Sequence, residues 1–169
     1  LAIFYYYKGD YARSETFYQR ALNIRQKGLG LENPLVARAL DNYAVLNAVR
    51  GDYAKAEELF QQALKIREQT LRPGHPLIAN SVNNLGELYR DKGAPSKTEE
   101  LFQRALEIWE KALGPDHRNV AVAINNLGEL YRERGEYEKA EPLLRRALAS
   151  DERRYGIEHP LVATQLNNL

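Results

Sequence analysis

The sequence predicts an all-α protein, a right-handed α-solenoid of antiparallel helix pairs. Three observations predict it. The eight residues Asn83-Asn84-Leu85-Gly86-Glu87-Leu88-Tyr89-Arg90 recur letter for letter from Asn125 to Arg132, 42 residues on, and an echo at such a period marks a repeat array. Glycines stand at Gly9, Gly51, Gly93 and Gly135 at the same interval, and residues 51–92 and 93–134 align without gaps, agreeing at 23 of 42 positions. Each unit also holds two helix-period stripes joined by a short loop. Short loops make consecutive helices antiparallel neighbours, and repeated helix pairs stack into a solenoid in which each pair contacts mainly the next.

The first helices are expected near 34–50, 77–92 and 119–134, with partial ones at 1–8 and 160–169. In the one leading to Gly93, Ile78, Val82, Leu85 and Tyr89 are spaced 4, 3 and 4, one stripe of a 3.6-residue helix. Asn80, Asn83, Asn84, Glu87 and Asp91 occupy the opposite arc. Pro76 suits the first turn, where its missing N–H is not needed, and Gly93 suits a left-handed cap. The second helices are expected near 11–28, 53–71, 96–112 and 137–155. Between Tyr53 and Ile66 the apolar set is Tyr53, Ala56, Leu59, Phe60, Ala63, Leu64 and Ile66, an amphipathic pattern with alanines where a neighbouring backbone comes close. Pro95 replaces the aromatic of Tyr11, Tyr53 and Tyr137 and is expected in a first turn. Pro142 removes one backbone bond from a helix expected to survive it with a slight bend.

The composition bounds the function. The chain has 169 residues, 44% hydrophobic and 28% charged, with 24 Lys plus Arg against 23 Asp plus Glu. A net charge of +1 argues against a nucleic-acid protein working by bulk charge. No apolar run approaches the ~18 residues of a membrane helix, so no membrane insertion is expected. Cysteine is absent, which excludes a disulfide framework and thiolate metal sites. Methionine is absent even at the start, so the chain is expected to be a fragment of a longer array. Its units run approximately 1–33, 34–76, 77–118, 119–159 and, in part, 160–169, all one domain.

These residues resemble the tetratricopeptide repeat. Val82-x2-Leu85-Gly86-x2-Tyr89 and Ile124-x2-Leu127-Gly128-x2-Tyr131 follow its first-helix pattern, with an aliphatic in place of Trp, and Ala56-x3-Phe60 and Ala140-x3-Leu144 follow its second. The 42-residue unit, the Arg-Ala-Leu segment and a Gly-x-x-His-Pro loop before an Asn-Asn-Leu helix are similar to the kinesin light chain subfamily. The resemblance implies binding without catalysis or cofactor. Its first helices line a concave groove for an extended peptide, which in kinesin light chains carries a tryptophan among acidic residues. It places Asn42, Asn84, Asn126 and Asn168 in that groove, joined by Asn80, Asn83, Glu87, Arg90, Asn125, Glu129 and Arg132; the helical wheel reaches most of these independently. A chaperone-tail carboxylate clamp would want lysine where Asp41, Asn83 and Asn125 stand.

An asparagine amide both donates and accepts, so it can pair with a peptide backbone of any sequence, and Arg90 and Arg132 could fork onto carboxylates. One asparagine of each Asn-Asn pair is alternatively structural; Asn84 and Asn126 are the members expected to be exposed. Glu87 and Glu129 oppose the arginines, so the groove carries both signs. His75, His117 and His159 recur one per loop, too spread to converge on a metal, and are expected to cap or pack loops. Glu57-Glu58 and Glu99-Glu100 read as first-turn residues favourable to the helix dipole. Tyr5 is core by register. Tyr6 and Tyr7 either project into the groove mouth, where aromatics suit a hot spot, or packed on an upstream repeat. Trp109 is expected to be partly exposed on the outer side. The expected function is therefore a cytoplasmic, non-catalytic scaffold with a protein or peptide partner. The alternative is a structural module that self-associates through uncovered ends, or a regulatory repeat region of a larger signalling protein.

Overall fold

The computed structural model describes residues 1–160, 162, 163 and 166. Eight helices follow one another: α1 (Ala2–Tyr7), α2 (Tyr11–Leu29), α3 (Pro34–Val49), α4 (Tyr53–Thr70), α5 (Pro76–Asp91), α6 (Pro95–Leu113), α7 (Arg118–Glu133) and α8 (Tyr137–Tyr155). Every expected helix within the described residues is present, its ends within a residue or so of expectation. The partial helix over 160–169 falls largely outside them. Each helix packs on its sequence neighbours, and α3 also touches α5, so the array is a solenoid of successive pairs.

The pair turn is built identically four times. At the end of α5 the Gly93 N–H donates to the Arg90 carbonyl and the Ala94 N–H to that of Tyr89, the paired bonds of a Schellman cap. Gly93 sits at φ 68°, open to glycine and strained for other residues. The following helix is then capped by the next residue. Asp10 and Asp52 each accept from a backbone N–H three residues on, at 3.1 Å. Ala94 offers no side-chain cap, and α6 starts instead on Pro95 in its first turn, as expected. Pro142 lies inside α8 and the helix continues through it.

The loop between units is closed by the histidines. His75 and His117 Nδ1 accept from the Leu77 and Asn119 backbone N–H groups, each at 3.1 Å. Asn33 does the same for α3 at 2.9 Å. These residues are N-caps, the capping role expected for them. His159 stacks on Tyr155.

The core runs along the array as linked apolar clusters. Leu40, Tyr43, Leu46, Leu59, Phe60, Leu85, Leu88 and Tyr89 join α3, α4 and α5; Ile78, Val82, Trp109, Val120 and Ile124 join α5, α6 and α7. Gly86 and Gly128 permit the close approach within a pair. A Cβ on Gly86 would lie 2.5 Å from the ring of the fully buried Phe102, and one on Gly128 would lie 2.6 Å from Leu144.

Two expectations are corrected. Trp109 is only 3% exposed. Its Nε1 donates to the Pro76 carbonyl and to Asn80 Oδ1, both at 3.2 Å, and its ring fills the space between the starts of α5 and α7. The position reads Arg67 one repeat earlier, which hides its buried character from a sequence reading. Glu57 and Glu99 are not first-turn residues, because α4 and α6 begin at Tyr53 and Pro95, a full turn earlier. Tyr5 is half-buried and stacks on Phe17 with ring centroids 5.5 Å apart.

Candidate functional site

The first helices α3, α5 and α7 lie in register along the array, so residues 42 apart occupy equivalent places. Their asparagines fall into two groups. Asn42 and Asn84 are half-buried, and their side-chain amides have no hydrogen-bond partner among the described residues. Asn84 edges an apolar cleft between α3 and α5. These two amides, at equivalent places, are available to a ligand. Asn168, one repeat beyond Asn126, lies outside the described residues.

Asn80, Asn83 and Asn126 are committed within the protein. Asn126 is 8% exposed and donates Nδ2 to Asn83 Oδ1 at 3.2 Å and to Glu87 Oε1 at 2.7 Å. The expectation that Asn126 is the exposed member of its pair is therefore corrected: its amide ties α7 to α5. Asn80 accepts from Trp109. In the next repeat the equivalents of Asn83 and Glu87 are Asn125 and Glu129. Their Oδ1 and Oε1 atoms are buried and unpartnered among the described residues.

The charged members pair along their own helices. Arg90 meets Glu87 at 2.6 Å and Arg132 meets Glu129 at 2.5 Å, each three residues apart. Burial pushes the Glu87 carboxyl above the usual glutamate value, against the pull of Arg90. Arg90 lines a second cleft with Leu130, Glu133 and Arg134.

Behind this face lies a buried network that sequence reasoning missed. Arg67 Nη2 meets Asp41 Oδ2 at 2.5 Å and Nη1 donates to Ser81 Oγ, joining α3, α4 and α5. Burial raises the Asp41 carboxyl above its ordinary value although Arg67 opposes the shift. Such a pair adds little net stability but fixes the relative placement of three helices. One repeat on, the three positions read Asn83, Trp109 and Ala123, and packing replaces the ion pair.

A second missed set repeats three times. Glu15, Glu57 and Glu99 each accept from the tyrosine hydroxyl of the next first helix (Tyr43, Tyr89 and Tyr131) and from a cation at its end: Arg50, Lys92 and Arg134. Its glutamates and cations keep the 42-residue period, whereas Tyr43 stands one turn earlier in its helix than Tyr89 and Tyr131, at the register of Leu85 and Leu127. Its pairing was not visible in the sequence, because the partners stand 28 to 35 residues apart. Among the described residues no three His, Cys, Asp or Glu side chains converge as metal ligands, and no helix is long and apolar enough to cross a membrane.

The tetratricopeptide repeat family model matches residues 1–69, 42–97 and 77–153. The chain belongs to the tetratricopeptide repeat family. The likeness to solved structures agrees. BtubC (BKLC) from P. vanneervenii is 28% identical with a TM-score of 0.88, over 100% of this chain and 67% of that one. A P. anserina protein described as a kinesin light chain with nearly identical TPR-like repeats is 25% identical with a TM-score of 0.76, over 91% and 73% of the two chains. The apo form of RapI, 23% identical with a TM-score of 0.78 over 91% and 54%, shares the fold. No curated protein matches the chain. The 42-residue unit and these neighbours make the repeats kinesin light chain-like, stacked as a right-handed α-solenoid.

Proposed function

We propose that this chain is a non-catalytic, cytoplasmic protein-interaction scaffold whose first-helix face forms a concave groove for an extended segment of a partner protein. The observation that carries the reading is the pair of free amides, Asn42 and Asn84, held half-buried at equivalent places on successive repeats. An extended peptide offers N–H and C=O groups at regular intervals, and amides at a repeat interval match them. Solenoid curvature provides a surface of this kind, and the kinesin light chain-like character of the repeats supports the same use. Asn83 and Asn126 serve the groove indirectly, by tying α5 to α7 and so setting the spacing of its helices.

The test is to capture a partner on the immobilised chain, map its bound segment, and measure that segment against the Asn42→Ala/Asn84→Ala variant. Affinity should fall about tenfold or more, roughly the worth of two hydrogen bonds, with the melting temperature unchanged. Unaltered affinity would remove the groove assignment. A second reading, self-association, is favoured by α1 and its N-cap, where Leu1, Ile3 and Phe4 are 77%, 55% and 58% exposed. Light scattering over a concentration series separates the two: a dimer whose formation excludes the captured segment would support the second.

A further inference from the structure

Selectivity should reside where the repeats differ. Two positions one turn apart on the first-helix face change along the array. They read Val45 and Val49 on α3, Glu87 and Asp91 on α5, and Glu129 and Glu133 on α7. On α1 the same register holds Ile3 and Tyr7. Val45 and Val49 are 40% and 50% exposed although they lie in the interior of the array. The face is therefore apolar toward α1 and acidic toward α7.

The two halves meet in a cleft of about 230 Å³ between α3 and α5, walled by Val45, Ala48, Val49, Phe60 and Leu88, with Asn84, Glu87 and Asp91 as its polar edge. The charge balance beside it is negative. Glu87 and Glu129 are matched by Arg90 and Arg132, whereas Asp91 and Glu133 hold no ion pair among the described residues. Both of these carboxylates lie close enough for their charge to act on Glu87.

We infer that this cleft selects a basic peptide. An aliphatic side chain enters between Val45, Val49 and Leu88, the peptide backbone meets the Asn84 amide, and lysine or arginine side chains reach Asp91 and Glu133. Neighbouring helices lie ~8–10 Å apart and an extended chain rises ~3.3 Å per residue, so successive anchors fall about three residues apart. The recognised pattern is an aliphatic residue followed at about three-residue intervals by basic ones. This preference opposes the acidic, tryptophan-bearing peptides that the kinesin light chain resemblance implies. It rests on the scaffold reading above and names the partner that reading leaves open.

The probes are fluorescein-labelled peptides of the form Leu-Gly-Ser-Lys-Gly-Ser-Lys, made in both chain directions, with counterparts carrying Glu for Lys or Gly for Leu. They are titrated into the full chain and followed by anisotropy. In at least one direction the Leu/Lys peptide should bind at least tenfold more tightly than either counterpart, and the advantage over the Glu peptide should shrink as salt screens it. Val49→Lys and Asp91→Lys, both at exposed positions, should each weaken it about tenfold with helicity unchanged. Equal or tighter binding of the Glu peptide, insensitivity to both substitutions, or no binding of the Leu/Lys peptide would overturn the inference. Glu-peptide binding that Asn42→Ala/Asn84→Ala abolishes would overturn it while leaving the groove reading intact.

Discussion

Asn126 shows how one residue can be structural while looking like a ligand. Its letter and place match Asn84, yet its amide is spent on Asn83 and Glu87 across the repeat junction. Asn84 would need the same acceptors at positions 41 and 45. Arg67 holds Asp41 by its Oδ2, the buried Oδ1 meets no donor among the described residues, and position 45 is Val; the Asn84 amide bonds to neither position and is left free. The two asparagines are distinguished by their neighbours' side chains, which the eight-residue identity conceals. Asn126→Ala should therefore destabilise the chain by about 1–2 kcal/mol, because a half-buried carboxylate and an amide lose their donor. Urea unfolding checks this, and Asn84→Ala should leave the midpoint nearly unmoved. Gly86 is the opposite case. Its reason was readable in the repeat pattern, and the Phe102 ring against it confirms a close-approach glycine.

At the scale of the element, the helices were legible almost completely because each signal is local. Apolar spacing, a proline at the start and a glycine at the end act within a few turns. What joins one element to the next was less legible. The three Glu–Tyr–cation sets hold a second helix to the following first helix, and their partners come from different units. Hydrogen bonds from the tyrosine first and the arginine second hold Glu15 and Glu99 below the ordinary glutamate value of 4.5, and those from Lys92 first and Tyr89 second do the same for Glu57. A carboxyl depressed in the folded state stabilises fully above its unfolded value, and that contribution is lost as pH falls through the folded value. The stability gap between the chain and its Glu57→Gln/Glu99→Gln variant should therefore be widest near pH 7 and should narrow below pH 4.5. Denaturant midpoints across pH 3–7 measure it, and a gap independent of pH would remove these carboxylates from the account. Asp41 has the opposite sign. Its raised value means that ionisation costs stability as pH rises above 3.8; Asp41→Asn removes that cost but also takes the anion from the buried Arg67.

At the scale of the molecule, the array is one helix pair copied with small changes, and copying explains both what could be read and what could not. Identical positions announce the fold, because α5 and α7 stack through the same Leu, Gly and Tyr, while α3 carries Tyr43, Ala44 and Asn47 in their places. Positions that differ, such as Val45 against Glu87 or Arg67 against Trp109, carry the individuality of the face and of the core behind it. A reading that weighs identity passes over them, which is why Asn42 to Arg132 stood out as candidates while Val45, Val49 and Glu133 did not. The central claim is that the face of α3, α5 and α7 receives the partner and the second helices carry the stack. Hydrogen exchange of the chain with and without its captured partner segment tests this most directly. Added protection should concentrate in α3, α5 and α7 and leave α4, α6 and α8 unchanged, whereas protection confined to the second helices or to α1 would contradict it.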